Sequence, residues 1–494
     1  MKHIKFSRKL LPLIFIVIWG VACFVFFQFY YPYHFFYKEQ NQIFLMSWSY
    51  ALTYFSKPAW VACLIGDFLT QFYYYLYAGA IILTLSLLTM GDIIRRSLER
   101  AGLKTWLSFV IAILVMTLEA IFHFKVGFRL ASTMAIIGGS AMFYIISILL
   151  RIDRIRQLRW MGNNIVLVFA VITYWMFGYG WLIFVVLSVI SGLKHISIKS
   201  AVSRLCYIPL LLICIPYMKN VYLLNAKKNI LYPGIGELSK PEMLFENYLA
   251  VDNEYYFGHY GRVMMMCSKM DSIPAQIAFF NNLSIARQGM LADCLTLDTE
   301  TNLGTFYHLN GNTPLLTIKM MNELYYVLGD MTMTERAAML ANVFSPDNRN
   351  VRMIKRLAEV NLVNNDIPAA MKYLRILDNT LVYRKWAEEH TPGTQTAMVK
   401  KEIAEKKQYV NKTDTIRLTD DTRQIMIGLL QSNPKNKVAL DYLLCSELQL
   451  RQIGAFKMDY DRFYPLQQRS GKEFLYRQAL QFYEMNKPKD NEVH

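Results

Sequence analysis

The chain begins with a long apolar segment. Residues 10–30 (LLPLIFIVIWGVACFVFFQFY) hold no charged side chain, and four basic residues precede them: Lys2, Lys5, Arg8 and Lys9. A helix of about 20 apolar residues is long enough to cross a bilayer core. A signal peptide has a shorter apolar core followed by small residues, whereas this segment ends in aromatic residues. The pattern therefore predicts a retained first membrane span.

Six further apolar segments predict six more spans. They lie at about 65–90, 105–122, 130–150, 161–177, 179–193 and 204–219. The stretch from Ile165 to Ile190 is interrupted by Gly178-Tyr179-Gly180, so it is either one kinked span or a hairpin of two short spans. A different number of spans between 163 and 219 would move the rest of the chain to the other side of the membrane.

Basic residues favour the hairpin. One cluster precedes the stretch and another follows it: Arg151, Arg154, Arg156 and Arg159, then Lys194, Lys199 and Arg204. Cytoplasmic loops carry an excess of Lys and Arg, and only the hairpin keeps both clusters on that side. We therefore predict about seven spans, with the N-terminus in the cytoplasm and everything after about residue 220 outside it.

The first loop is rich in aromatic residues. Residues 30–36 (YYPYHFF) are typical of the aromatic belt that settles at the headgroup level of a membrane. Residues 42–56 are apolar nearly all round but too short to span comfortably, and they stop before Lys57-Pro58. We predict that 42–56 form a helix that lies in the membrane interface or re-enters it.

Charged residues become frequent after the last apolar segment. We predict a transmembrane domain at 1–220, a linker at 221–240 and a soluble domain at 241–494. Residues 361–377 (NLVNNDIPAAMKYLRIL) have the pattern of a helix end, a polar turn and a second helix with Ala369, Ala370 and Tyr373 at helical spacing. This resembles a tetratricopeptide (TPR) unit. The fold class is therefore all-α, with a TPR-like solenoid or a plain helical bundle as the soluble domain.

Composition agrees with this division and restricts the chemistry. Of the 494 residues 54% are hydrophobic and only 18% are charged, and the formal net charge is +16. Cytoplasmic loops rich in Lys and Arg explain that charge, and we find no nucleic-acid-binding motif. The seven cysteines show no zinc-ligand spacing, so we predict neither a metal nor a cofactor.

Acidic residues are rare before residue 220, and three lie near the predicted outer face: Glu39, Asp67 and Glu119. His123 follows Glu119 by one helical turn, and Lys125 and Arg129 come next. In one interpretation Glu39 pairs with Lys38, and Glu119 reaches the surface beside Lys125. In the other, Glu39 and Glu119 meet in a partly dry site, where a carboxylate can act as a general base.

The second interpretation resembles the GT-C superfamily of membrane glycosyltransferases, whose first outer loop begins with a catalytic acid and continues into helices on the membrane. The resemblance covers roughly residues 1–220. It implies that Glu39 and Glu119 are catalytic and that the donor is a polyprenyl-phosphate sugar. Its substrate would be held by basic or imidazole side chains: Lys38, His123, Lys125 and Arg129.

The whole chain also resembles a domain-of-unknown-function family of bacterial multi-pass inner-membrane proteins that end in a TPR-like domain. The segments that carry this resemblance are FLTQFYYYLYAGA from Phe68, NNLSIARQGMLADCL from Asn281 and KRLAEVNLVNNDIPAAMKYLRIL from Lys355. It implies an inner-membrane location, with the soluble domain in the periplasm. Two functions remain open: a GT-C-like transferase in envelope glycan assembly, and a non-catalytic scaffold whose TPR-like surface binds an envelope protein.

Overall fold

The computed structural model describes most of the chain. The described residues are 10–149, 161–195, 198–217, 226–270, 273–295, 303, 309, 312–345, 348–410, 421–469, 471 and 473–486. The basic residues at 2–9 and 151–159, on which the predicted topology partly rests, lie outside these ranges. Every regular element within them is helical, so the predicted all-α class is confirmed.

The chain divides into two compact units. The first unit comprises Met1–Glu246 together with Asn379–Val382, and the second unit comprises Asn247–Asp378 and Tyr383–His494. The helices of the first unit are α1 (Leu10–Val25), α2 (Tyr33–Gln40), α3 (Trp48–Thr53), α4 (Trp60–Thr70), α5 (Ala78–Arg100), α6 (Thr105–Phe122), α7 (Leu130–Leu149), α8 (Met161–Phe177), α9 (Gly180–His195), α10 (Ile198–Leu205), α11 (Tyr207–Tyr217) and α12 (Ala226–Leu231).

Four helical segments in the described residues are long and apolar enough to cross a membrane. They are Pro12–Tyr30, which joins α1 to a π-helical turn, and the helices Ala78–Arg100, Thr105–Phe122 and Leu130–Leu149. Three shorter apolar helical segments follow them: Ile165–Phe177, Gly180–Lys194 and Ala201–Pro216. Four membrane-capable helices are thus observed, and the number of seven spans stays a prediction.

The second predicted span, at about 65–90, is wrong as drawn because the segment is not one helix. Helix α4 ends at Thr70, a 3₁₀ turn covers Gln71–Tyr74, and α5 begins only at Ala78. Tyr77 has a left-handed backbone with φ of 69°, which breaks the helical path. Hydropathy did not reveal this break because the residues within it are mostly aromatic and continue the apolar pattern.

The predicted interfacial segment 42–56 is helical only in its second half. Helix α3 covers Trp48–Thr53, and a 3₁₀ turn covers Tyr54–Ser56. Ser47 has an extended backbone, and its hydroxyl accepts a hydrogen bond from the Tyr50 N–H at 3.3 Å. Serine is a favoured residue at this position because it satisfies an N–H group that has no partner within the helix. This cap explains where the helix starts.

Helix α7 lies at the centre of the first unit, where it packs against α4, α5, α8 and α9. Glycines permit the closest approaches. A Cβ atom on Gly66 of α4 would lie 2.5 Å from the Ala131 nitrogen of α7. A Cβ atom on Gly139 of α7 would lie 2.1 Å from the Gly180 oxygen of α9. Small residues at such positions let helix backbones approach closely. Close packing of this kind holds helices together in lipid, where the hydrophobic effect does not drive their association.

The predicted interruption at Gly178-Tyr179-Gly180 is present, since α8 ends at Phe177 and α9 begins at Gly180. Gly178 has a φ of +54°, and a side chain there would also meet the Tyr232 carbonyl oxygen. Glycine adopts this conformation without steric cost, so it ends one helix where the next begins. Two separate helices, rather than one kinked helix, therefore form the stretch.

The second unit is built from further short helices. They are α13 (Met243–Tyr256), whose residues up to Glu246 belong to the first unit, and then α14 (Tyr260–Cys267), α15 (Ala275–Arg287), α16 (Leu291–Cys294), α17 (Leu315–Leu328), α18 (Met331–Phe344), α19 (Val351–Val363), α20 (Ile367–Asp378), α21 (Arg384–His390), α22 (Ala397–Lys407), α23 (Thr422–Ser432), α24 (Lys437–Gln449), α25 (Ile453–Phe463) and α26 (Phe474–Met485). From α17 to α21 each helix packs against the next in the sequence.

Candidate functional site

A chain of hydrogen bonds joins three buried polar side chains of the first unit. The Thr133 hydroxyl of α7 donates to Glu119 Oε1 of α6 at 2.7 Å, and it lies 2.9 Å from His123 Nε2. Because a hydroxyl has a single hydrogen, His123 Nε2 donates to Thr133 when Thr133 donates to Glu119. All three side chains are at most 2% exposed. Glu119 therefore does not reach the surface beside Lys125.

Helix α2 adds a cation, Lys38, beside this chain of hydrogen bonds. Lys38 Nζ donates to the His123 carbonyl oxygen at 3.4 Å, and the Lys38 side chain is half-buried. Burial lowers the pKa of Lys38 to about 7, although the nearby Glu246 carboxylate acts to raise it. The next residue, Glu39, is 2% exposed. Lys38 therefore sits where its charge responds to small changes near neutral pH.

Two more titratable side chains, His34 and Glu246, lie near Lys38. His34, one turn earlier on α2, is fully buried, and its Nδ1 lies 4.0 Å from Glu246 Oε2. Glu246 Oε1 accepts a hydrogen bond from the Tyr33 N–H at 2.5 Å. Burial raises the pKa of Glu246 to about 7, with the hydrogen bonds from the α2 backbone and the Lys38 charge acting in the opposite direction.

Burial also lowers the pKa of His34 well below its ordinary value, and the Lys38 charge acts in the same direction. The imidazole is therefore neutral at neutral pH, with one nitrogen that donates and one that accepts. Six side chains thus form what we term the polar cluster: His34, Lys38, Glu119, His123, Thr133 and Glu246.

Arg129 lies in a separate ion pair. Its Nη2 donates to both carboxylate oxygens of Asp67, at 3.0 and 2.9 Å, and Asp67 is 1% exposed. The Tyr54 hydroxyl donates to Asp67 Oδ2 at 2.9 Å and lies 3.1 Å from the Tyr50 hydroxyl. A buried carboxylate needs such partners because removing it from water is costly. Asp67 therefore already compensates the positive charge of Arg129, which sequence analysis expected to hold the substrate.

Lys125 also has an acidic partner, Glu237, with which it forms an ion pair. Both side chains are largely exposed, so solvent screens their interaction. Of the six predicted site residues, the structure therefore brings Lys38, Glu119 and His123 into the polar cluster. It places Glu39 next to Lys38 on α2, and it pairs Arg129 and Lys125 with acids elsewhere. The catalytic and binding roles of all six stay predictions.

Sequence reasoning missed three members of the polar cluster. His34 could have been found, because it lies four residues before Lys38 on a short helix and so shares its face. Thr133 gives no such signal, since threonine is ordinary in an apolar helix. Glu246 lies more than 200 residues from α2, and no local pattern predicts that contact. Within the described residues, no group of three or more His, Cys, Asp or Glu side chains is arranged to hold a metal ion.

The geometry suits acid–base chemistry without a metal ligand set among the described residues. A proton can pass along the hydrogen bonds that join a carboxylate, a hydroxyl and an imidazole. A lysine beside these groups can balance negative charge. Fold and site together define an all-helical protein with membrane-capable helices and a buried polar cluster.

The chain belongs to a family of unknown function, DUF6057, whose sequence profile matches residues 6–494. No curated protein and no solved structure matches the chain.

Proposed function

We propose that the chain is a multi-pass protein of a bacterial inner membrane that transfers a sugar from a polyprenyl-phosphate donor to an envelope acceptor. In this proposal the chain crosses the membrane seven times, and the second unit lies in the periplasm. The observation that carries the proposal is the buried chain Glu119–Thr133–His123 beside Lys38. Such a carboxylate is costly to maintain at membrane depth, which argues that it has a function.

The proposed reaction uses Glu119 of the polar cluster for proton transfer. The acceptor hydroxyl loses its proton to Glu119 as its oxygen forms a bond to the anomeric carbon of the sugar. The bond between that carbon and the phosphate oxygen breaks, and the polyprenyl phosphate leaves with the bonding electrons. Thr133 and His123 hold Glu119 in place, and the Lys38 ammonium offsets charge on the departing phosphate. In this proposal Glu39, next to Lys38 on α2, is a second carboxylate that receives the proton from Glu119 in turn.

Conservative substitutions test this proposal in cells. Glu119→Gln and Glu39→Gln keep the side-chain shape but cannot accept the proton. We expect each variant to insert and fold yet to lose about 10²- to 10⁴-fold in rate, the usual contribution of a general base. The double variant should lose little more than either single variant, because residues that act as a unit are not additive. The readout is the ability of each variant to complement the envelope defect of a deletion strain.

Thr133 offers a matched pair of variants for the same assay. Thr133→Val removes the hydroxyl with little change in shape and should impair complementation, whereas Thr133→Ser keeps the hydroxyl and should complement. Full complementation by Glu119→Gln and Glu39→Gln would contradict the transferase proposal.

A second candidate function is a membrane-anchored scaffold, and one observation favours it. In the second unit, α17 to α21 pack each against the next, as helices do in TPR-like solenoids that present a partner-binding surface. A scaffold predicts that both glutamine variants complement fully. It also predicts that disrupting the packing of α19 on α20 abolishes complementation while the level of protein in the membrane stays normal.

A further inference from the structure

Three buried polar atoms next to Lys38 have no hydrogen-bond partner within the protein: His34 Nδ1, His34 Nε2 and Glu246 Oε2. The His34 ring lies against the Tyr31 and Phe35 rings, whose centroids are 4.5 and 4.1 Å away. The Tyr31 carbonyl acts to raise the pKa of His34, but it does not form a hydrogen bond of normal geometry with the ring. Buried polar groups are nearly always paired, so several unpaired atoms in one place point to a bound group.

The spacing of these atoms defines what that group can be. His34 Nδ1 and Glu246 Oε2 are 4.0 Å apart, which is too far for a direct hydrogen bond. A single oxygen atom about 2.8 Å from each would bond to both. When Nδ1 carries the imidazole proton and Glu246 is ionised, this oxygen accepts one hydrogen bond and donates the other. When Nδ1 is unprotonated and Glu246 is protonated, the oxygen donates to Nδ1 and accepts from the carboxyl group. A hydroxyl fits both cases, whereas an ionised phosphate or carboxylate oxygen cannot donate and an ammonium cannot accept.

We propose that His34 and Glu246 form a subsite for one hydroxyl group, and that in the transferase this is a hydroxyl of the acceptor sugar. Only the assignment of this hydroxyl to the acceptor sugar rests on the proposed function, because a water molecule can form the same two hydrogen bonds. Lys38 connects the subsite to the Glu119–Thr133–His123 chain, since it donates to the His123 carbonyl and its charge acts on both His34 and Glu246. His34 and Glu246 are thus positioning residues for the acceptor.

A structure of the full chain in lipid nanodiscs tests the subsite itself. We expect a non-protein oxygen within about 3.2 Å of both His34 Nδ1 and Glu246 Oε2. His34→Phe keeps an aromatic ring beside Tyr31 and Phe35 but removes both nitrogens, and it should remove this density. A direct hydrogen bond between His34 and Glu246, or the same density in the His34→Phe variant, would overturn the subsite.

Kinetics distinguish an acceptor hydroxyl from water. For the acceptor hydroxyl, His34→Phe and Glu246→Gln should raise the KM for the acceptor about tenfold or more, with the KM for the donor and kcat little changed. A merely structural role would alter donor and acceptor parameters together. Bound density with an unchanged acceptor KM would identify the occupant as water and overturn the acceptor assignment. Absence of transfer by the wild-type protein would overturn the proposed function, while the structural result would still decide whether the hydroxyl subsite exists.

Discussion

Buried carboxylates in the second unit show how neighbouring residues decide the charge of a single side chain. Burial acts to raise the pKa of Glu323, but Arg356 and Arg352 outweigh it and lower that pKa to about 2. Arg356 Nη2 lies 2.6 Å from Glu323 Oε2, and Arg352 Nη2 lies 3.0 Å from Oε1. Glu323 is therefore ionised at neutral pH and holds α17 to α19 through two cations.

Glu447 is in the opposite situation because it shares one cation with a second carboxylate. Arg423 Nε lies 2.9 Å from Glu447 Oε1, and Arg423 Nη2 lies 2.6 Å from Asp459 Oδ2. Burial raises the pKa of Glu447 to about 8, and the neighbouring Asp459 carboxylate acts in the same direction. Two adjacent carboxylates cannot both ionise easily, so Glu447 keeps a proton in the folded state near neutral pH.

We predict that Glu447→Gln stabilises the protein at pH 8 but not at pH 4.5. The folded-state pKa of Glu447 lies above the ordinary value of 4.5, so its contribution to stability is complete below pH 4.5 and is lost as the pH rises to about 8. Glutamine resembles the protonated form at every pH. Allowing for solvent screening, the gain at pH 8 should be about 1–2 kcal/mol.

The measurement is thermal unfolding of the detergent-solubilised protein across this pH range. Glu405→Gln is the control, because that carboxylate is 59% exposed and its pairing with Lys401 should matter by less than about 0.5 kcal/mol. A Glu447→Gln variant with the same pH dependence as wild type would show that Glu447 is ionised in the folded state.

At the level of helices and turns, the sequence predicted elements best where a local residue imposes the boundary. Gly178 marks the end of α8, and the polar turn after Val363 separates α19 from α20. The break between α4 and α5 was missed because the aromatic residues there continue the apolar pattern. The start of α3 was missed for a similar reason, since the hydropathy of 42–47 resembles that of the helix after it.

We predict that Ala370→Leu destabilises the packing of α19 against α20. Ala370 is fully buried on α20, and these two helices pack against each other. Extra methyl groups in a close-packed contact force side chains and backbone apart, at a cost of roughly 1–3 kcal/mol. Ala369→Leu is the matched control, because Ala369 is only half-buried and can direct a larger side chain toward solvent. Equal unfolding temperatures for the two variants would show that Ala370 is not a packing position.

At the scale of the whole molecule, the sequence predicted the helical fold class and the division into an apolar and a polar part. It did not predict the long-range contacts that build the polar cluster. The apolar runs and the change in charge after residue 220 indicated a helical membrane part followed by a polar helical part. The contacts of His34 with Glu246, and of Glu119 with Thr133, depend on how helices far apart in sequence meet. No local pattern records those meetings, so the candidate residues could be proposed from sequence while their partners could not.

The proposed topology predicts opposite signals from two reporter fusions. A reporter that is active only outside the cytoplasm should be inactive when fused after Gly102, between α5 and α6, because the basic residues there favour the cytoplasmic side. The same reporter fused after Gly236 should be active, since seven spans would precede it. A cytoplasm-specific reporter at the same positions is the control and should give the reverse pattern. Inactivity after Gly236 would place the second unit in the cytoplasm and overturn the proposed arrangement.

The most direct test of the proposed transferase is sugar transfer by the purified full chain in proteoliposomes. The donor is a membrane lipid extract in which the polyprenyl-phosphate sugars carry a radiolabel, and the measured quantity is the rate at which label leaves the lipid for an envelope acceptor. We predict transfer by the wild-type protein and by Thr133→Ser, and a rate about 10²- to 10⁴-fold lower for Glu119→Gln. Transfer by Glu119→Gln at the wild-type rate, or no transfer by the wild-type protein, would contradict the proposed transferase activity.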